Sequence, residues 1–140
     1  MLKTTIIHPE LVQALAEAGH GARILVADSN YPVSVKVNPA ARRVHLNFVP
    51  GIVSGPEVVR ALVGAVPIES AVYLAPGDGT LPEAVKEYQA LLGKSVPLDK
   101  LDRLAFYDLA KSGDTALVIA TGESRTYACL LLTVGVVAPA

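Results

Sequence analysis

The fold is decided by one stretch of the chain, GHGARILVAD, which covers residues 19–28. Before it, apolar residues recur at helical spacing, which predicts a helix from about Pro9 to Ala18. Gly19 then stands where a helix commonly ends in a left-handed residue. The apolar run from Ile24 to Ala27 is too short for a helix and predicts a buried strand. Asp28 leaves this strand at its carboxyl end, where open α/β sheets place their ligand sites.

His20 and Asp28 stand on the two sides of this short strand, and a histidine and a carboxylate together can act as an acid and a base. His20 follows the predicted helix directly, where the negative end of the helix dipole favours an imidazolium. Two structural interpretations stay open at this point. A histidine after a helix is commonly a capping or solvated residue, and an aspartate after a strand commonly starts a turn.

The length, composition and net charge of the chain limit the class of protein to which it can belong. The 140 residues fit one domain over positions 1–140. The chain is 51% hydrophobic and only 18% charged, and a small protein this apolar favours subunit contacts, so we expect an oligomer. The net charge of −1 argues against nucleic acid as a partner. Because we find neither a signal-peptide core nor a bilayer-spanning apolar stretch, we expect a cytoplasmic protein with no membrane partner.

Downstream of Asp28, helix and strand patterns alternate along the chain. Further strands or extended segments are predicted over residues 33–37, 44–48, 70–75, 115–120 and 127–134. The predicted helices begin near Ser54, Thr80 and Asp102, three residues that can cap a helix N-terminus. Alternation of this kind predicts a three-layer α/β/α fold around a central mixed, largely parallel sheet.

Several other features receive structural interpretations. The turn over residues 76–80 is glycine-rich but matches no phosphate-binding fingerprint. The three histidines show no metal-ligand spacing, which argues against a metal site. Glu123 lies in a predicted turn, where it is expected to cap or bridge rather than to catalyse. Cys129 is the one cysteine, which excludes an intrachain disulfide, and its apolar surroundings predict a buried, unreactive thiol.

Short pieces of the chain also stand in a characteristic order. They are Pro9-Glu10-Leu11, Gly19-His20-Gly21, Asp28, Arg103 with Ala105-Phe106-Tyr107, Thr121-Gly122-Glu123, and Tyr127 with Gly135-Val136. No piece is specific alone, but all of them in this order resemble the RbsD/FucU family of sugar mutarotases over almost the whole chain. The run from Arg103 to Tyr107 is closer to the fucose mutarotase branch than to the ribose pyranase branch.

The resemblance implies an RbsD-like fold and an enzyme that interconverts the cyclic forms of a reducing sugar without metal or cofactor. It also implies a ring-shaped homo-oligomer, typically a decamer, with each site close to a subunit contact. By position, His20 matches the family's proton donor, and Asp28, Arg103 and Tyr127 match its substrate-contacting residues. Asp28 is also a candidate catalytic residue, since it can orient His20 or act as a base.

Cys129 departs from the family pattern, which usually has asparagine two residues after the tyrosine. Asparagine offers two donors and an acceptor, whereas a thiol is a weak donor and a weak acceptor. Cys129 is therefore a candidate substrate-binding position at which a contact is lost, with either a different sugar preference or weaker activity as the result. Asn30 lies where fucose mutarotases can have histidine, which weakens the case for fucose itself.

We therefore expect a cofactor-free isomerase that opens and closes the ring of a free monosaccharide, such as L-fucose or D-ribose, by general acid–base catalysis. One alternative is a sugar-binding or regulatory protein that keeps the pocket and has no turnover. Another is an assembly protein whose apolar strands serve only the ring. For single residues, Arg103 is otherwise a solvated charge and Tyr127 otherwise a core residue.

Overall fold

The computed structural model covers residues 1–140 and contains ten regular elements. The helices are α1 (Pro9–Glu17), α2 (Gly55–Val63), α3 (Glu83–Leu92) and α4 (Arg103–Lys111). The strands are β1 (Arg23–Ala27), β2 (Arg42–His45), β3 (Ile68–Leu74), β4 (Leu98–Leu101), β5 (Thr115–Ala120) and β6 (Leu130–Val134). No helix is long and apolar enough to cross a membrane.

The strands form one sheet in the order β2-β5-β1-β6-β3-β4. The pairs β2–β5, β5–β1 and β3–β4 are parallel. Only β6 runs against its neighbours, β1 and β3. The prediction of a mixed, largely parallel sheet is therefore confirmed, and β1 lies near its centre.

Helices cover both faces of the sheet. Successive side chains of each strand point to opposite faces, so the sheet contributes to two cores. Ile24 and Val26 of β1 point into a core of 21 buried residues that also takes side chains from α1, α2 and α3. Leu25 and Ala27 point the other way, into a core of 11 buried residues with α4 and Tyr31. This arrangement confirms the three-layer α/β/α prediction.

Most predicted helix ends are confirmed. Ser54 and Glu57 form a reciprocal capping box at the start of α2, and the Asp102 side chain accepts the Ala105 N–H at 2.9 Å at the start of α4. The Thr80 cap is wrong, because Thr80 donates its hydroxyl to Asp78 and α3 begins after Pro82. Near α1, the left-handed residue is Gly21, with φ of 84°, rather than Gly19.

The strand predictions need correction in several places. The strand predicted over residues 44–48 is β2, which begins two residues earlier and ends at His45. Residues 33–37 form turns, in which the Tyr31 hydroxyl donates to the Lys36 carbonyl at 2.8 Å and the Lys36 N–H donates to the Pro32 carbonyl at 2.9 Å. Val37 is buried in the core beside α4, whereas Val35 is 65% exposed, so the alternating valines do not share one buried face. Conversely, β4 went unpredicted, because it is an edge strand whose two central residues are exposed and polar.

Candidate active site

A pocket of about 280 Å³ opens at the carboxyl end of β1. Four of the predicted site residues line it: Asp28, Arg103, Tyr127 and Cys129. The remaining wall is formed by Asn30, Tyr31, Leu74, Tyr107 and Thr126. The pocket therefore gathers side chains that lie up to a hundred residues apart in the sequence, and it leaves out His20.

The Asp28 carboxylate joins the two loops that form much of the pocket, namely the loop that begins at Asp28 after β1 and the loop over residues 121–129 between β5 and β6. Asp28 is only 6% exposed, and its Oδ1 accepts the Asn30 N–H at 3.0 Å while its Oδ2 accepts the Ala128 N–H at 3.1 Å. These bonds offset the free-energy cost of burying a carboxylate. Because a carboxylate has about four acceptor positions, Asp28 can accept further hydrogen bonds from a ligand.

Cys129 lies directly behind this carboxylate. Its Sγ accepts the Asp28 N–H at 3.4 Å, and the residue is 2% exposed. Burial, with the neighbouring charge of Asp28, raises the pKa of the Cys129 thiol well above its usual range. The thiol is therefore neutral at physiological pH, and the prediction of a buried cysteine is confirmed.

Tyr127 adopts a left-handed backbone conformation with φ of 53° and is 41% exposed. A non-glycine residue in this region carries strain of about 1–2 kcal/mol. The strand predicted from residue 127 begins only at Leu130, because the Ala128 N–H bonds to Asp28 instead of to a neighbouring strand. Tyr127 is consequently a pocket residue and not a core residue.

The opposite wall comes from α4, whose first residue is Arg103. Arg103 is exposed and takes no part in the ion pairs of the chain. Tyr107 lies one turn further along and packs edge-on against Tyr31, with ring centroids 5.4 Å apart. Sequence analysis missed both tyrosines, although the i,i+4 spacing of Arg103 and Tyr107 places them on one helix face.

His20 lies at the other end of β1. The five residues of β1 span roughly 15 Å at the usual rise of a strand. The His20 side chain is 61% exposed, and its Nε2 lies 2.9 Å from Oε2 of Glu69 on β3. One chain therefore does not bring His20 and Asp28 together, which corrects the expectation of an acid and a base on one strand. Sequence analysis missed Glu69, because only the sheet register places it beside His20.

The segment Thr121-Gly122-Glu123 builds the frame beneath the pocket. The Thr121 hydroxyl donates to the Ala27 carbonyl at 2.8 Å. A Cβ on Gly122 would lie 1.9 Å from the Ile52 carbonyl oxygen, so only glycine fits there. The Glu123 carboxylate accepts the Gly55 N–H at 3.2 Å at the start of α2, which confirms the prediction that Glu123 caps or bridges.

The fold and the pocket define a class of protein: an α/β protein whose central strand ends in a small polar pocket with a carboxylate, a guanidinium and a tyrosine. No group of three or more His, Cys, Asp or Glu side chains is placed to hold a metal ion. The model of the RbsD / FucU transport protein family matches residues 1–137. The chain therefore belongs to the RbsD/FucU family.

Named relatives share nearly the full length of the chain. It is 33% identical to the fucose mutarotase of Bos taurus, covering 96% of this chain and 92% of that protein. It is 31% identical to the D-ribose pyranase of Variovorax paradoxus, covering 97% of this chain and 98% of that protein. The structure of Bacillus subtilis RbsD complexed with D-ribose matches with a TM-score of 0.86 and 27% identity, over 99% of this chain and 100% of that one.

Proposed function

We propose that this chain is a sugar mutarotase, an isomerase that interconverts the cyclic forms of a free monosaccharide of the fucose or ribose type. The observation that carries the proposal is the pocket at the end of β1, where Asp28, Arg103 and Tyr127 converge. Relatives named fucose mutarotase and D-ribose pyranase support the same reaction class. The proposed catalytic residues are His20 and Asp28, and the reaction needs no cofactor or metal.

The reaction requires two proton transfers. One proton leaves the anomeric hydroxyl and another is given to the ring oxygen, so that the ring opens to the aldehyde. Rotation about the C1–C2 bond and closure from the other face then give the second cyclic form. Each transfer is general acid–base catalysis, which contributes a factor of about 10²–10⁴ to the rate.

Each pocket residue has a role that follows from its contacts. Asp28 accepts a sugar hydroxyl with the lone pairs that its backbone bonds leave free. The unpaired guanidinium of Arg103 supplies a fixed fork of donors for neighbouring hydroxyls. The exposed ring of Tyr127 offers an apolar face for the sugar and a hydroxyl at its edge.

The proton donor His20 reaches this pocket from a second copy of the chain. Within one chain, β1 separates His20 from Asp28, whereas both the imidazole and the pocket are open to the surface. A contact between two different ends of identical chains is head-to-tail when it is not reciprocated, and its repetition generates a ring if the rotation between neighbours closes. We accordingly propose a ring-shaped homo-oligomer, a decamer by family resemblance, of single-domain chains that act in the cytoplasm.

Glu69 orients the His20 ring in this scheme. Its carboxylate takes the Nε2 position at 2.9 Å, which leaves Nδ1 to face the substrate. The ion pair itself is exposed, so it adds little to stability. Its contribution is to hold one ring orientation ready for the neighbouring pocket.

A second candidate function is sugar binding without turnover, and Cys129 is the observation that favours it. The thiol is buried and already accepts the Asp28 N–H. It supplies no strong donor to a sugar at a position where the family resemblance leads us to expect an amide. Binding of a monosaccharide without faster exchange between its cyclic forms would support this candidate.

Saturation-difference NMR on equilibrated L-fucose, D-ribose, galactose and glucose tests the proposal directly. We expect exchange between cyclic forms of at least one sugar with the wild type, and a loss of about 10²-fold or more with His20→Ala. His45→Ala is the matched control, because His45 is also exposed but lies on the edge strand β2 and does not line the pocket. A folded wild type with no exchange for any sugar would refute the proposed activity.

A further inference from the structure

Glu123 lies where the two loops of the pocket meet α2. It is 3% exposed. Its backbone carbonyl accepts both the N–H of Ser29 at 2.8 Å and the hydroxyl of Ser29 at 2.7 Å. Ser29 is the residue after Asp28, so Glu123 holds the loop that carries the pocket carboxylate.

The Glu123 side chain holds the other loop through Arg125. Oε1 accepts the Arg125 backbone N–H at 3.0 Å and its Nε at 2.9 Å, while Oε2 accepts Nη2 at 2.9 Å and the N–H of Gly55 at 3.2 Å. The Arg125 guanidinium holds the pKa of the Glu123 carboxyl below its usual range. Glu123 thus fixes the backbone of Arg125, and it fixes the Arg125 side chain together with Glu87 of α3, which accepts Nη1.

We infer that Glu123 and Arg125 are a positioning pair for the sugar pocket, which set the place of Tyr127 and Asp28 without touching the sugar. The inference rests on the proposed function, and it adds two residues to which neither the pocket lining nor the proposed chemistry assigns a role in binding.

Strain at Tyr127 is the physical reason. A left-handed tyrosine persists only where the surrounding structure over-determines it. Tyr127 lies two residues after Arg125, and the following N–H, that of Ala128, bonds to Asp28. The segment is therefore fixed at both ends. Release of the Arg125 end lets Tyr127 relax to a common backbone conformation and carries its ring away from the pocket.

The inference predicts a particular kinetic signature. Displacement of Tyr127 and Asp28 weakens sugar binding, whereas His20, at the other end of β1, keeps its geometry. KM should therefore rise more than kcat falls. A merely structural role would instead reduce the folded fraction, which lowers the apparent kcat and leaves KM unchanged.

The test compares Glu123→Gln with Glu57→Gln. Both carboxylates accept a backbone N–H at the start of α2, but Glu57 bonds to Ser54 and touches neither pocket loop. We expect KM, or the Kd from a sugar titration, to rise about tenfold or more in Glu123→Gln, because small displacements in a site have large effects. Glu57→Gln should stay within about twofold of the wild type, whatever its loss of thermal stability. An unchanged KM in folded Glu123→Gln would overturn the inference.

Arg125→Lys provides the second variant, in case Glu123→Gln does not fold. It keeps the charge and the backbone N–H bond and removes the fork to Glu123. We expect a rise in KM of several-fold and a shifted ring resonance of Tyr127 in tyrosine-labelled protein, with the resonance of Tyr73 unmoved. Unmoved resonances with an unchanged KM would overturn the positioning role. A wild type that neither binds nor interconverts any sugar refutes the proposed function instead.

Discussion

The two ends of β1 are built in opposite ways. At the carboxyl end, Asp28 and Cys129 are buried and bonded to each other's segments, and no buried side-chain polar atom of the chain lacks a partner. At the amino end, His20 and Glu69 are exposed and bonded only to one another. In the proposed function, the carboxyl end supplies the wall that binds the sugar, and the amino end supplies the proton donor His20, which lies outside the pocket of its own chain.

This difference between the two ends of β1 predicts that substitutions there have different effects on stability and on catalysis. Loss of a partner from a buried carboxylate costs about 1–3 kcal/mol of unfolding free energy. An exposed ion pair is worth about 0–1 kcal/mol. Substitutions at the carboxyl end should therefore affect both folding and sugar binding, whereas substitutions at the amino end should affect the rate alone.

Asp28→Asn should have the largest effect. The amide replaces one acceptor oxygen with a donor, which then faces an N–H of Asn30 or Ala128. We expect kcat/KM to fall about 100-fold, mostly through KM, and the unfolding free energy to fall by about 1–3 kcal/mol. Exchange kinetics and urea unfolding measure both. Asp108→Asn, an exposed position on α4, is the control. Full activity in Asp28→Asn would show that the carboxyl end of β1 is not part of the sugar site.

Glu69→Gln should act on the rate alone. Loss of the carboxylate frees the His20 ring to rotate, so we expect kcat to fall about tenfold while KM and the unfolding free energy stay close to wild type. The same exchange assay and unfolding curves measure this. A rise in KM with constant kcat would mean that Glu69 binds sugar rather than orients His20.

The dependence of the unfolding free energy on acid pH should reveal the contribution of the pair Glu123–Arg125 near the pocket. Because Arg125 lowers the pKa of Glu123 in the folded state, this carboxyl stabilises the fold above its unfolded pKa of about 4.5, and the contribution is lost as pH falls through the lower, folded pKa. The unfolding free energy should fall more steeply below pH 4.5 in the wild type than in Glu123→Gln. Urea unfolding as a function of pH measures both slopes, and equal slopes would contradict the pairing.

Cys129→Asn should have the smallest effect. The amide oxygen can accept the Asp28 N–H in place of Sγ, and the amide N–H₂ then provides a donor toward the pocket. We expect kcat/KM for the preferred sugar to rise a few-fold, worth about 1 kcal/mol of added hydrogen bonding. A fall in kcat/KM with unchanged stability would show that the thiol itself fits the substrate.

Local patterns predicted the fold well, and long-range contacts explain what they missed. The buried strand β1, the Ser54 cap and the Asp102 cap follow from neighbouring residues alone, and all three are confirmed. The left-handed Tyr127 depends on the bond between Ala128 and Asp28, which are 100 residues apart. No local pattern contains that information.

Sequence analysis named four residues that meet at the pocket, but it did not predict how the candidate residues are arranged in space. Asp28, Arg103, Tyr127 and Cys129 do line one pocket. His20 was predicted from its place after a helix and from the family resemblance, but its spacing of eight residues from Asp28 did not reveal that an extended strand separates the two side chains. Its partner Glu69 comes 49 residues later and meets it only through the sheet.

Sharing of one site between two copies is the central claim, and mixed oligomers test it most directly. His20→Ala and Arg103→Ala each damage one end of β1, and Arg103 is exposed without an ion-pair partner, so its loss leaves the fold intact. Each proposed site takes His20 from one chain and Arg103 from the neighbouring chain. Co-expression of the two variants in equal amounts should therefore restore about a quarter of the sites, because two neighbours supply both intact residues with a probability of about one half times one half. Activity well above the mean of the two separate variants is the predicted result. Activity equal to that mean would contradict the claim and place the whole site within one chain.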